Sequence, residues 1–326
     1  MCPTTTTTAG SGVVAIDRCA FPIEEATTSS SLPPLVTALE KLAPKASTAA
    51  ILADLNRTAT AATAGLVPGA PPGVDVAVRL AFVDVTNPQA PTYRFALLVE
   101  PTGTPQAPSF VPVTIHAGGL AWFGNYLYVV ETGRGFRVFD MTRAMQVATD
   151  VDQIGCQAGV CRAGLYKYVV PQVGGYTSTK ACAPLFSYVA LDRSTTPPSL
   201  LSGEYCGGTA CASQPLSGRA YRWPLDATTG RIGAKTSWPS EAMLLGQTQV
   251  QGGASRKGVY YLSSSAPAGG GGALYRMRTG KSATSTWLDS PEDLMVDEAN
   301  GPLWSLSEAA GKRVVAGMKL TSYPAP

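Results

Sequence analysis

The chain has 326 residues, a formal net charge of +3 and only 14% charged residues, against 34 Gly and 26 Pro. That balance describes a turn-rich all-β protein long enough to bury a sizeable core. It holds neither a Lys/Arg run for a nucleic-acid groove nor an apolar run as long as a membrane helix.

Residues 1–12 are of low complexity, with Cys2 between Met1 and Pro3 and five threonines following. No leader is readable. A cysteine in that position, ahead of a polar tether, has the layout of a bacterial lipoprotein after signal removal, which would anchor the chain to a membrane at Cys2. An ordinary disulfide partner is the other reading of Cys2. Residues 1–30 are expected to be a flexible tail, with a ring-closing strand at Gly12-Val13-Val14-Ala15-Ile16-Asp17. Residues 31–66 read as a helical or irregular segment, or as a degenerate first blade. Ser31, Pro33 and Pro34 open a helix with Leu35, Leu39 and Leu42 on one face. Ile51, Leu52 and Leu55 also suit a helix, while the threonines of residues 58–63 favour extended chain.

Residues 67–326 carry a weak repeat. Gly118-Gly119 and Gly124 align with Gly252-Gly253 and Gly258, and the apolar runs after them correspond. A third copy runs through Glu292-Asp293-Leu294-Met295 and Leu303-Trp304-Ser305-Leu306. A more divergent one runs through Ser187-Tyr188-Val189-Ala190-Leu191 and Arg219-Ala220-Tyr221-Arg222-Trp223. Residues 166–170 read as the strand that closes the second unit. Units of three or four short strands, beginning near Ala46, Ile115, Pro184, Gln249 and Pro291, predict a single closed β-propeller of five blades, with six as the alternative.

Several of these runs resemble a group of secreted actinobacterial propeller-like proteins. They are Leu80-Ala81-Phe82-Val83-Asp84-Val85, Tyr93-Arg94-Phe95-Ala96, Ile115-His116-Ala117-Gly118-Gly119, Leu191-Asp192-Arg193-Ser194, Pro291-Glu292-Asp293-Leu294 and Leu303-Trp304-Ser305-Leu306. The resemblance covers residues 75–323, and the Ala/Thr-rich N-terminal region departs from it. The group has no assigned activity, so the resemblance implies a fold and a secreted location, not a chemistry.

Seven cysteines also point to an oxidising compartment. Cys156/Cys161 and Cys206/Cys211 are each spaced to close a small hairpin, which leaves Cys19 and Cys182 to pair across the fold. With one histidine in the chain, such pairs make poor zinc sites, and no metal ligand set is predicted.

In a four-stranded blade, the loops into the first strand and between the second and third strands open on one face. That face should gather His116, Gln251, Glu292 and Asp293 from the first kind of loop, and Glu131, Glu204 and Glu308 from the second. Arg134 and Arg219 follow closely. His116, Glu292 and Asp293 do not repeat from unit to unit, which suits a catalytic role: a base of near-neutral pKa and a carboxylate pair of the kind glycosidases use. His116 is expected at the mouth of the channel, within one residue's reach of Glu292 or Asp293. Glu131, Arg134, Glu204, Arg219, Gln251 and Glu308 are candidate ligand-binding residues, although recurring Glu/Arg pairs equally fit turn ion pairs. No cofactor is expected; Ca2+ is the one ion that the Glu292-Asp293 oxygens would suit. There is no GxSxG elbow, no phosphate loop at residues 269–272 and no dinucleotide fingerprint. Two functions follow. One is a monomeric, secreted or cell-surface protein that binds, and as a hydrolase or lyase cleaves, an extracellular polysaccharide or other polar polymer. The other is a non-catalytic module that engages a protein.

Overall fold

The computed structural model describes residues 13–17, 21–59, 77–87, 89–178, 183–207, 218–233, 235–265, 271–298, 301–308 and 313–326. The N-terminal arm supplies β1 (Val14–Ala15), β2 (Ile23–Glu25) and two helices, α1 (Leu32–Leu42) and α2 (Thr48–Ala59). Prolines 33 and 34 sit in the first turn of α1, where a missing N–H leaves no bond unmade. Ile51 and Leu55, four apart on one face of α2, are buried. The Asp54 carboxylate between them accepts hydrogen bonds from Arg94, Lys167 and Tyr168 and so ties α2 to the sheet beneath.

The first strands of the body are β3 (Arg79–Asp84), β4 (Thr92–Thr104) and β5 (Ala107–Pro112), an antiparallel meander. A second meander follows, β6 (Ala117–Phe123), β7 (Tyr126–Glu131) and β8 (Gly135–Asp140). Next come β9 (Met145–Gln146), the hairpin of β10 (Ile154–Gln157) and β11 (Val160–Ala163), and β12 (Tyr168–Thr177). β12 is shared: residues 168–171 pair parallel to β4, and residues 172–177 pair antiparallel to β8.

Three further sheets complete the chain. β13 (Phe186–Asp192), β14 (Ser199–Glu204), β15 (Arg219–Pro224) and β17 (Glu241–Leu244) form a meander that β1 joins at its outer edge; β16 (Thr236–Ser237) pairs with β2 instead. β18 (Val250–Arg256), β19 (Val259–Ser264), β20 (Ala273–Arg278) and β21 (Lys281–Thr286) form the next. β22 (Pro291–Val296), β23 (Pro302–Ser307) and β24 (Val315–Lys319) form the last.

The core lies in the junctions between successive units. Leu80 and Phe82 meet Leu127 and Phe139 in the first. Tyr128 and Phe136 meet Tyr221 and Trp223 in the second. Leu201 and Met243 meet Tyr260 and Leu262 in the third, and Tyr261 and Leu274 meet Leu294 and Leu303 in the fourth. The second junction is built on aromatic edges: Phe136 contacts Phe186 and Trp223 with ring centroids 5.2 and 5.9 Å apart.

The protein is thus all-β apart from the N-terminal helices, as its composition implies. A closed five-bladed ring does not appear in the sheet pairing. Because β12 pairs on both sides, the first two units merge into one curled ten-stranded sheet rather than two blades. The unit expected to begin near Ala46 opens as helix α2, since its apolar residues fall at helical spacing and pack against β3 and β4; among the described residues its strands begin at β3. Cys156 and Cys161 face each other across β10–β11 and are disulfide-bonded. Cys206 is disulfide-bonded as well; Cys2, Cys19, Cys182 and Cys211 lie outside the described residues.

Candidate functional site

Four first strands carry a bulge at the same place. Pairing with the second strand slips between Ala117 and Gly119, between Phe186 and Tyr188, between Val250 and Gly252, and between Pro291 and Leu294. Gly118, Ser187, Gln251 and Glu292 are therefore equivalent positions, each pushed out of its ladder. The strands touch there through their backbones. A Cβ added to Gly118 would lie 2.5 Å from Ser187 O, and one added to Gly252 would collide with Glu292 O and lie 2.8 Å from Asp293 Cα.

Side chains at these positions are linked. Ser187 Oγ donates to Val250 O at 2.8 Å and lies 3.2 Å from Gln251 Oε1. Gln251 Nε2 donates to Glu292 Oε1 at 3.4 Å. Asp293 carries the contact back to the start: its Oδ2 accepts from Leu120 N of β6 at 3.1 Å, and its Oδ1 accepts from Leu294 N at 3.0 Å. Oδ2 thereby joins the last sheet to β6, while Oδ1 is held within β22 itself.

Between the last sheet and the curled sheet lies a cavity of about 210 Å³. Leu80, Leu98, Leu120 and Leu306 give it apolar walls, and Glu292 and Asp293 supply its acidic end. Burial, reinforced by the nearby Glu308 charge, pushes the Glu292 carboxyl up to about 7. Burial also drives Asp293 well above the usual carboxylate range, against its two N–H donors and with the help of Glu292.

A pH dependence of stability follows. The folded pKa of Glu292 exceeds the unfolded value of 4.5, so its contribution is fully present below pH 4.5, declines as pH rises and is lost above about 7. The groups facing it are Asp293, Glu308, Gln251 and, across the cavity, Arg79. Glu292→Gln should flatten this limb. Relative to the parent, the variant should gain about 1–3 kcal/mol between pH 5 and pH 8, read by urea titration at both pH values. Equal pH profiles for the two proteins would mean that Glu292 ionises normally.

Of the other sequence-derived candidates, Gln251 and Glu308 border Glu292, and the rest are not among the residues that line the cavity. His116 stands exposed immediately before β6; the cavity wall begins at the next residue, Ala117, and does not include His116. Glu308 is exposed, and its carbonyl accepts from Arg313 Nε at 3.0 Å. Glu204 and Arg219 form a buried bidentate pair. Burial opposes the Arg219 charge, yet Glu204 holds its pKa above the usual range, and the guanidinium lies 5.1 Å from the Phe21 ring centroid. Glu131 lies 3.8 Å from Arg134 but 2.8 Å from Arg137, which also grips Glu100 and Gln172. These pairs are structural ties. Sequence reasoning missed Ser187, although it aligns near the Gly-Gly positions, and Arg137, which no spacing marks. Among the described residues no three His, Cys, Asp or Glu side chains gather as metal ligands.

The geometry defines an all-β protein of serial meander sheets, with a small cavity, acidic at one end, at the junction of its last and first sheets. No family model and no curated protein matches the chain. Among solved structures it is similar to the computationally designed Ika4 protein, at 11% identity and a TM-score of 0.25, over 63% of this chain and 92% of that one. A likeness that slight carries no argument.

Proposed function

We propose that the chain is a β-propeller that closes through the Asp293–Leu120 contact and binds one unit of a polar polymer, such as the end of an extracellular glycan, in the cavity at Glu292. The equivalent bulges on four first strands support the propeller reading. The observation that carries the function is Glu292 itself: a half-buried carboxyl that keeps its proton to about pH 7, at the edge of an apolar cavity and beside the exposed carboxylate of Glu308. A neutral carboxyl donates a hydrogen bond to a hydroxyl or glycosidic oxygen, and the carboxyl oxygens of Glu308 accept one. The volume, below the 300–1,000 Å³ usual for ligand pockets, fits a single unit rather than a multi-residue cleft.

The test is a panel of oligosaccharides titrated against the protein at pH 5.5 and pH 8.5. Saturable binding should weaken about tenfold at the higher pH as Glu292 loses its proton. Glu292→Gln, whose amide still donates, should bind equally at both. Cleavage of a bound oligosaccharide that Glu292→Gln abolishes would make Glu292 the general acid as well. No saturable ligand in the panel, or pH-independent binding by the parent, would overturn the reading.

A further inference from the structure

Among the described residues the last sheet is one strand short. The β13–β15–β17 and β18–β21 meanders each place a fourth strand against the third, β17 on β15 and β21 on β20. In the last sheet the third strand is β24, and among the described residues no strand pairs with its outer edge. The other two outer edges are protected. β17 is covered by β1, an extended segment from elsewhere in the chain, and β21 is the polar run Lys281-Ser282-Ala283-Thr284-Ser285-Thr286. Among the described residues β24 has no covering strand, and its only charge is Lys319 at its end. Its sequence, Val315-Ala316-Gly317-Met318-Lys319, is apolar up to its last residue, and Val315 is 63% exposed. An exposed apolar edge of this kind is a template for strand addition.

We propose that β24 is a docking edge that takes an extended segment of a partner protein as the fourth strand of the sheet. Main-chain bonds to β24 supply affinity, and alternate side chains pack beside Val315 and Gly317. The charges at the two ends select the partner. A second copy paired antiparallel about Ala316 would set Arg313 of one copy against Lys319 of the other at both ends, and like charges directly opposite destabilise a pair. The fitting strand has an alternating Val/Thr centre and acidic residues at each end. β1 on β17 is the same device within the chain.

The probe is a labelled peptide, Asp-Glu-Val-Thr-Val-Thr-Val-Glu-Asp, titrated into the full chain by fluorescence anisotropy. It should bind saturably, and bound peptide should slow amide exchange over residues 314–319 while leaving residues 250–252 and 292–293 unchanged, which separates this edge from the Glu292 cavity. The double variant Arg313→Glu/Lys319→Glu, both exposed positions, should keep the parent Tm, weaken binding about tenfold and transfer preference to a Lys-flanked peptide. Absence of saturable binding, or equal affinity of parent and charge-reversed protein for both peptides, would overturn the proposal. So would a peptide-free dimer whose exchange protection maps to residues 314–319.

Discussion

Replacing Arg219 by Met will lower the unfolding free energy by about 3–5 kcal/mol, because it strands a buried carboxylate. Glu204 and Arg219 are both buried, and Glu204 also accepts from the Leu185 and Arg219 backbone N–H groups at 3.3 and 3.2 Å. Those two donors remain in the variant but cannot neutralise the charge. Glu204→Gln in the same background should recover part of the loss, since an amide oxygen keeps both acceptor bonds without a charge to bury. Chemical denaturation of the single and double variants measures the coupling directly. A loss below about 1 kcal/mol for Arg219→Met would show that water reaches Glu204 in solution, as it does for exposed pairs.

Gly252→Ala should also be damaging, for a different reason. The Glu292 carbonyl and the Asp293 backbone occupy the space that a methyl group would need, and neither is the end of a flexible side chain. Relief requires β18 and β22 to separate, which strains the Gln251–Glu292 bond and the Asp293–Leu120 bond beyond it. Overpacking of this kind costs about 1–3 kcal/mol and occasionally more. Gly258→Ala, in the β18–β19 turn with open space around it but a φ of 75°, isolates the cost of backbone conformation alone. Thermal unfolding of the pair should show the larger fall in Tm for Gly252→Ala, together with a lowered Glu292 pKa as the cavity admits water. An unchanged Tm would mean that the strands part easily and the bulged positions are not in tight contact.

The strand repeat was legible because β6, β13, β18 and β22 share both a meander and an offset bulge. Its register was not. Gly-Gly pairs and turn glycines align residues 118–119 with 252–253, yet the ladders pair Gly119 and Gly252 at the equivalent position. The slip arises because Gly124 is the first of two turn residues and Gly258 the second, and a one-residue slip exchanges the faces of a strand. Gly118 consequently matches Gln251 and Glu292, which is what lines up the polar bulge positions. The double pairing of β12 was invisible in sequence, since periodicity reports which face is buried and not which neighbours flank an edge. Glu292 was legible as an asymmetric acidic residue; the burial that lets it keep a proton depends in part on Leu80, far away in sequence. The Cys156–Cys161 hairpin needed only local spacing, and local spacing was enough.

The N-terminal arm sets a condition on synthesis. β1 pairs with β17 through Val14 and Leu244, and β2 pairs with both β12 and β16. β1 therefore has no strand partner until residues 243–244 are made, whereas β2 meets its first partner at residues 176–177. β1 docks late, after the meanders it spans have formed from their own local hairpins. Contacts made that late contribute little to the rate of folding and much to the barrier against unfolding, so β1 works as a latch whose removal would shorten the lifetime of the folded state.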